Sequence, residues 1–163
     1  MATQPTSTPA AVHSGTPPKA VMKVANRIIG PLLRSPLHGL MSGSLMLLTM
    51  TGRKSGRPIT TPVSYLPDGD GRLILFTFSP WWKNLQGGAP VTLRIKGRDV
   101  AAIVTPDTDT DAVAGEISRF LQTHGLQNAR KIGLSLDPKQ PPSLADIRAI
   151  AANRVVIHLT LTK

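Results

Sequence analysis

From Ser44 onward the chain alternates short apolar runs with turn residues, and the spacing of those runs predicts most of its elements. Four runs have the length and β-branched or aromatic content of strands: Ser44 to Thr51, Ile59 to Leu66, Arg72 to Ser79 and Val91 to Lys96. PDGDGR supplies a hairpin turn at Asp68 to Gly71, between the second and third. A short helix is expected over Trp81 to Gln86, stopped by Gly87 and Gly88. Asp99 to Thr105 reads as a strand paired with its predecessor through Gly97 and Arg98, and the closing RVVIHLTLT as another.

Two later segments have helical spacing. Thr108 or Asp109 can cap a helix reaching about Thr123, with Ala112, Ile117 and Leu121 on one side and Gly125 as its stop. Pro141 and Pro142 precede a second helix, Ser143 to Asn153, whose Ser143 and Asp146 suit a first turn. Near the N-terminus, Lys19 to Leu40 is helical in its first half, with Val21, Val24, Ala25, Ile28 and Leu32 at helical spacing, until Pro31 and Pro36 break or kink it. About six strands joined mostly by tight turns, with interspersed helices, favour an α+β chain built on a small antiparallel barrel over a doubly wound sheet.

Composition narrows this further. At 163 residues, 40% apolar, the chain is the size of one domain with a real core, expected over residues 19–163. Residues 1–18, rich in Ser, Thr, Pro and Ala and uncharged, read as a disordered tail rather than a signal peptide. Cysteine is absent, which excludes disulfides, thiolate nucleophiles and thiolate metal sites, and leaves the cytoplasm as the default compartment.

The net charge of +10 is unevenly placed. No Asp or Glu precedes Asp68, whereas Lys19, Lys23, Arg27, Arg34, Arg53, Lys54 and Arg57 do. An anionic partner or surface would act on that third of the chain. Lys19, Lys23 and Arg27 beside Val21, Val24 and Ile28 make an amphipathic helix suited to an anionic membrane, the alternative being that its apolar side packs on the barrel. Liposome co-sedimentation with and without residues 1–30 separates the two. Nucleic acid is not the expected partner, because six aromatic residues do not form a stripe interleaved with cations.

Two motifs carry candidate chemistry. In TGRKSGRPITTP, Gly52 and Gly56 flank a turn that holds Arg53, Lys54 and Ser55, followed by Arg57. Converging backbone N–H groups, two cations and a hydroxyl form a cradle for phosphate or carboxylate, although P-loop spacing is missing. The alternative is a solvated turn that keeps a sheet edge soluble. In SPWWKNL both tryptophans follow a strand carrying Phe76 and Phe78, so one indole can enter the core while the other lines a cleft for a flat heterocycle, with Ser79 and Asn84 at its polar edge. Packing of both indoles at the barrel end is the competing account.

The run TGRKSGRPITTPVSYLPDGDGRLILFTFSPWWKNL, within Leu33 to Gly97, resembles the deazaflavin-dependent nitroreductase family, split-barrel proteins of the flavin-reductase and FMN-binding type found mainly in actinobacteria. The resemblance implies a split β-barrel with flanking helices that binds coenzyme F-420, an 8-hydroxy-5-deazaflavin with a phosphate and an oligoglutamate tail, in preference to FMN. It places Arg53, Lys54 and Ser55 on the anionic portion, and Thr60, Thr61, Pro62, Val63 and Ser64 along linker and ring. Phe76, Thr77, Phe78, Ser79, Trp81, Trp82 and Asn84 then enclose the deazaflavin. The implied activity is hydride transfer from the reduced cofactor to a small-molecule acceptor, a quinone, nitroaromatic or activated alkene.

Ser64, Tyr65 and Lys83 are candidate proton donors by proximity in sequence. His13, His38, His124 and His158 lack metal-ligand spacing, and no Ser-His-Asp or paired-carboxylate arrangement stands out. The other class to weigh is a non-catalytic barrel that binds FMN, a tetrapyrrole or a fatty acid without turnover. Oligomeric state is left open.

Overall fold

The structure is a computed structural model that describes residues 43–162, together with Arg27 and Pro31, both helical and exposed. The expected tail and the rest of the N-terminal helix, with the membrane surface expected for it, lie outside the described residues.

Seven strands form one antiparallel sheet: β1 (Leu45–Thr51), β2 (Pro58–Ser64), β3 (Leu66–Pro67), β4 (Arg72–Thr77), β5 (Pro90–Ile95), β6 (Arg98–Asp107) and β7 (Val155–Leu161). Their order is β2-β1-β5-β6-β7-β4-β3. The two edge strands, β2 and β3, are consecutive in sequence and separated by Tyr65 alone. A flat sheet cannot bring its opposite edges that close, so the sheet has curled until they meet. Among the described residues β2 pairs only with β1, so the seam stays open between these strands and the barrel is split.

The single run expected over Ile59 to Leu66 is thus two strands. Tyr65 interrupts it: its N–H donates to the Ser44 carbonyl at 3.1 Å, and its side chain, 5% exposed, turns into the barrel. Strand periodicity sorts the remaining core. Met46, Leu48 and Met50 of β1, Leu73 and Leu75 of β4, and Val155, Ile157 and Leu159 of β7 fill the interior. The intervening Ile74 and Val156 point outward into a second core beneath the helices. Each such buried side chain contributes roughly 1.5–3 kcal/mol relative to exposure.

Within residues 43–162 two α-helices and two 3-10 segments accompany the sheet. The first helix, α1 (Thr110–His124), is capped by Asp109, which accepts from the Ala112 N–H at 2.8 Å, and is closed by Gly125. Its buried side is Val113, Ala114, Ile117, Phe120 and Leu121, which includes the expected Ile117 and Leu121, whereas Ala112 is exposed and Val113 takes its place. The second, α2 (Leu144–Ala151), is shorter than expected at both ends: Ser143 is its cap rather than its first residue and forms a reciprocal capping box with Asp146, and the helix stops at Ala151, two residues before Asn153. Arg148 of α2 reaches Asp111 of α1 at 2.6 Å. The Trp81 segment is a 3-10 turn, η1 (Pro80–Leu85), and another that the sequence pattern does not predict, η2 (Leu126–Ile132), comes after α1. Among the described residues no helix is long and apolar enough to cross a membrane.

Candidate functional site

The open seam holds a cleft of about 260 Å³. One wall is Thr61 to Ser64 on β2, whose outer edge has no strand partner among the described residues. The opposite wall is the end of β4 together with the start of η1: Leu75, Phe76, Thr77, Phe78, Ser79 and Trp81. The Thr77 hydroxyl accepts from the Ser79 N–H at 3.1 Å, which bends the chain out of β4 into η1, and Pro80 starts that turn. Trp81 and Trp82 are both half-buried against the barrel core, but Trp81 alone of the two lines the cleft. Phe78 is 43% exposed there, an unusual position for a phenyl ring.

The floor is built from residues that belong to neither sequence motif. Arg130, Lys131, Ile132 and Gly133 come from the end of η2, and Arg154 from just before β7. Arg130 and Lys131 are exposed, whereas Arg154 is 7% exposed. Its guanidinium donates to the carbonyls of Ile132 at 2.9 Å and Gly133 at 2.7 Å, and lies 5.7 Å from the centre of the Phe78 ring. Burial pushes its pKa below the ordinary guanidinium value, and it remains a cation at neutral pH. Gly133, at φ 70°, is in the left-handed region that an η2 stop requires.

The TGRKSG turn joins β1 to β2 beside this cleft. Gly52 donates to Arg57 and Gly56 to Gly52, each at 2.8 Å, and the Ser55 hydroxyl accepts from the Arg57 N–H at 3.3 Å. Gly52 is closely packed: a Cβ there would lie 2.6 Å from Ser55 Oγ and 3.0 Å from Ile59 Cδ1, so a larger residue would displace those side chains. Arg53 is tied to η1. Its N–H donates to Asn84 Oδ1 at 3.0 Å, and its guanidinium donates to the Lys83 carbonyl at 3.0 Å and to the Gln86 side chain. Asn84 Nδ2 in turn donates to the Trp81 carbonyl at 2.8 Å. Asn84 therefore links the two motifs, with both ends of its amide engaged by protein. Lys54 is exposed and takes part in no such link.

Of the residues expected to meet a cofactor, Thr61, Pro62, Val63, Ser64, Phe76, Thr77, Phe78, Ser79 and Trp81 line the one cleft. Arg53, Lys54 and Ser55 lie on the adjoining turn, Asn84 between turn and cleft, and Trp82 against the core. Thr60 shares a 2.9 Å hydrogen bond with Thr49 on the neighbouring strand. Among the candidate proton donors, Ser64 lines the cleft; Tyr65 borders a different cavity, with burial pushing its hydroxyl pKa up, and Lys83 is exposed away from the cleft wall. Among the described residues no three His, Asp or Glu side chains cluster as metal ligands.

No curated protein matches the chain. Among solved structures, a Bacteroides thetaiotaomicron protein named for 5-nitroimidazole antibiotic resistance is 12% identical over 77% of this chain and 78% of its own, with a TM-score of 0.44. A FAD-binding protein from Mesorhizobium loti is 13% identical over 82% and 87%, TM-score 0.42. The haem storage protein HutZ from Vibrio cholerae is 10% identical over 80% and 91%, TM-score 0.45. Likenesses this weak fix neither cofactor nor activity. The family model of the F420H(2)-dependent quinone reductases matches residues 32–123, more than half of the chain and both motifs, and the protein belongs to that family of oxidoreductases.

Proposed function

We propose that the protein reduces a quinone at the Trp81 cleft with a hydride equivalent drawn from reduced coenzyme F-420. The observation that carries this reading is the cleft itself, a slot in the barrel seam between the edge of β2 and an aromatic wall of Phe76, Phe78 and Trp81, continuous through Asn84 with a cationic hairpin turn. Its lining suits the cofactor: Trp81 and Phe76 offer faces for a flat ring, and the unpaired edge of β2 offers backbone polar groups to a heterocycle. The cations of the neighbouring turn suit a phosphate and a chain of carboxylates. When bound, a reduced deazaflavin supplies two electrons and a proton as hydride.

The chain's own residues then have separable tasks. Lys54 and Ser55 hold the anionic portion, Arg53 keeps their turn locked to η1, and Trp81 with Phe76 fixes the plane of the ring. Orientation of that kind carries most of the catalytic contribution, since the bond-making belongs to the cofactor. Ser64, on the cleft wall, passes a solvent proton to the reduced acceptor. At about 260 Å³ the cleft is near the lower limit of ligand pockets and suits small planar acceptors. Nitroaromatics and activated alkenes meet the same requirement of an electrophilic flat molecule.

The test is tryptophan quenching with oxidised F-420 and with FMN, then loss of reduced F-420 on adding a naphthoquinone. F-420 is expected to bind at least about tenfold more tightly than FMN, a difference of about 1.4 kcal/mol, and to be reoxidised by the quinone. Equal or tighter FMN binding would overturn the cofactor assignment. Tight F-420 binding with no reoxidation would leave a binding protein and no reductase.

A further inference from the structure

The floor of the cleft carries a charge that neither the fold nor the cationic turn uses. Arg154 has two backbone carbonyls as hydrogen-bond partners, and among the described residues no carboxylate pairs with it. Carbonyl dipoles orient a guanidinium but do not neutralise it, and burying an unneutralised cation is costly. A guanidinium has five N–H donors, and the two recorded bonds leave others for a ligand in the cleft that it lines. Phe78 covers part of the group at cation-π distance, restricting approach to flat molecules. Among the described residues, the other titratable side chains lining the cleft are Arg130 and Lys131, both exposed cations on η2.

We propose that Arg154 is the receptor for an ionised ring oxygen, the phenolate or enolate edge of a flat conjugated ring seated in the cleft. The inference rests on the reading that such a ring occupies the cleft. A phosphate is the poorer match, because the Ile132 and Gly133 carbonyls crowd the same guanidinium and would repel the further oxygens of a dianion. Two sources bring the required oxygen. A quinone that accepts a hydride at one end of its conjugated system becomes a hydroquinone monoanion, with the deazaflavin oxidised and the charge on a ring oxygen until a proton arrives from solvent. The hydroxyl of the deazaflavin ring, once ionised, carries the same charge. In either case the negative charge meets a cation that is itself 7% exposed, and a contact withdrawn from water in this way is stronger than one at the surface. Arg130 and Lys131, nearer solvent, add attraction at longer range.

The test uses the whole chain and does not depend on turnover. Quenching of Trp81 is measured with a hydroxynaphthoquinone that is ionised at neutral pH, with unsubstituted naphthoquinone, and with a deazaflavin ring lacking phosphate and tail. The ionised naphthoquinone is expected to bind about ten- to a hundredfold more tightly than the neutral one. In Arg154→Gln that preference should fall to within about twofold, while neutral naphthoquinone binds as before. A preference confined to the deazaflavin ring, seen as ionisation of the bound chromophore at lower pH, assigns the oxygen to the cofactor; one shown by the hydroxynaphthoquinone assigns it to the acceptor. Absence of any preference in both arms overturns the proposal, as does its survival in folded Arg154→Gln. Should that variant fail to fold, the parent protein decides: binding must strengthen as pH rises through the probe's own ionisation, and a flat or falling profile refutes the role. Failure of intact F-420 to bind would sink the cofactor reading and leave the hydroxynaphthoquinone result standing.

Discussion

Replacing Asn84 with alanine tests whether the two motifs are one site. The amide accepts from Arg53 and donates to Trp81, so the substitution deletes two hydrogen bonds of 3.0 and 2.8 Å. A net hydrogen bond contributes about 0.5–1.5 kcal/mol, which gives an upper figure of about 3 kcal/mol for the pair. The Arg53 N–H lies in an exposed turn and regains a water, whereas the Trp81 carbonyl is tucked into a half-buried turn. The expected loss is therefore about 1–2 kcal/mol, or a few degrees of Tm for a domain of this size. Urea titrations followed by far-UV circular dichroism and tryptophan emission measure it. Asn84→Asp sharpens the test: it keeps the acceptor for Arg53 and loses the donor to Trp81, so its cost should come mainly from a disturbed Trp81, visible as shifted emission in the folded state. A loss below about 0.5 kcal/mol for Asn84→Ala, the range of ordinary surface changes, with unchanged emission, would refute the linkage.

Lys54→Ala, on the same turn but outside that linkage, should leave stability within about 0.5 kcal/mol and weaken F-420 binding about ten- to a hundredfold, as expected for loss of one charge-assisted contact; a destabilised variant that binds as tightly as the parent would reduce TGRKSG to a turn. In the capping box of α2, hydrogen bonds from the Ser143 hydroxyl and then its backbone N–H hold the Asp146 carboxyl below its ordinary value of 3.8. A depressed folded pKa gives stability that is present above the unfolded value and lost as pH falls through the folded one. Asp146→Asn should thus be less stable than the parent at neutral pH, with the gap closing below about pH 4, and a gap independent of pH would exclude the charge as its source.

Much of this molecule is legible where neighbours in space are neighbours in sequence. The PDGDGR hairpin shows itself through three consecutive positive-φ residues, Gly69, Asp70 and Gly71, of types that tolerate them. The β5–β6 turn is legible only to within a residue: the sequence points to Gly97 and Arg98, whereas Arg98 already pairs with Ile95 and the turn is Lys96 and Gly97, at φ 48° and 76°, because a type I′ turn needs two positive-φ residues and a lysine does not advertise one. TGRKSG and SPWWKNL can each be read as site motifs, but not the bond from Arg53 to Asn84, which spans 31 positions. Arg154 is the clearest loss. In sequence it merely opens RVVIHLTLT, and its meaning comes from two carbonyls 21 and 22 residues away. η2 is hard to see in the sequence because its apolar residues, Leu126, Ala129 and Ile132, recur every three positions over only seven residues, a period that fits neither an α-helix nor a strand, and Gly125 and Gly133 at its ends read equally well as loop. The one signal for Arg154 is an arginine set directly against three buried residues, Val155, Val156 and Ile157.

That a barrel of this kind leaves its seam open has a physical consequence for where binding energy comes from. Closing the seam would pair the outer edge of β2 and add a ladder of hydrogen bonds to the fold; leaving it open gives those groups to a ligand at the expense of stability. The contributions then fall into three environments. Lys54, on an exposed turn, attracts through water and is screened over about 8 Å at physiological salt. The edge of β2 and the aromatic walls act through contact and are indifferent to salt. Arg154, 7% exposed, is screened by salt much less than a charge on the surface. Added salt should accordingly weaken capture of a polyanionic ligand while leaving the discrimination between an ionised and a neutral ring intact, so anchoring and ring recognition can be separated in the parent protein without changing a residue.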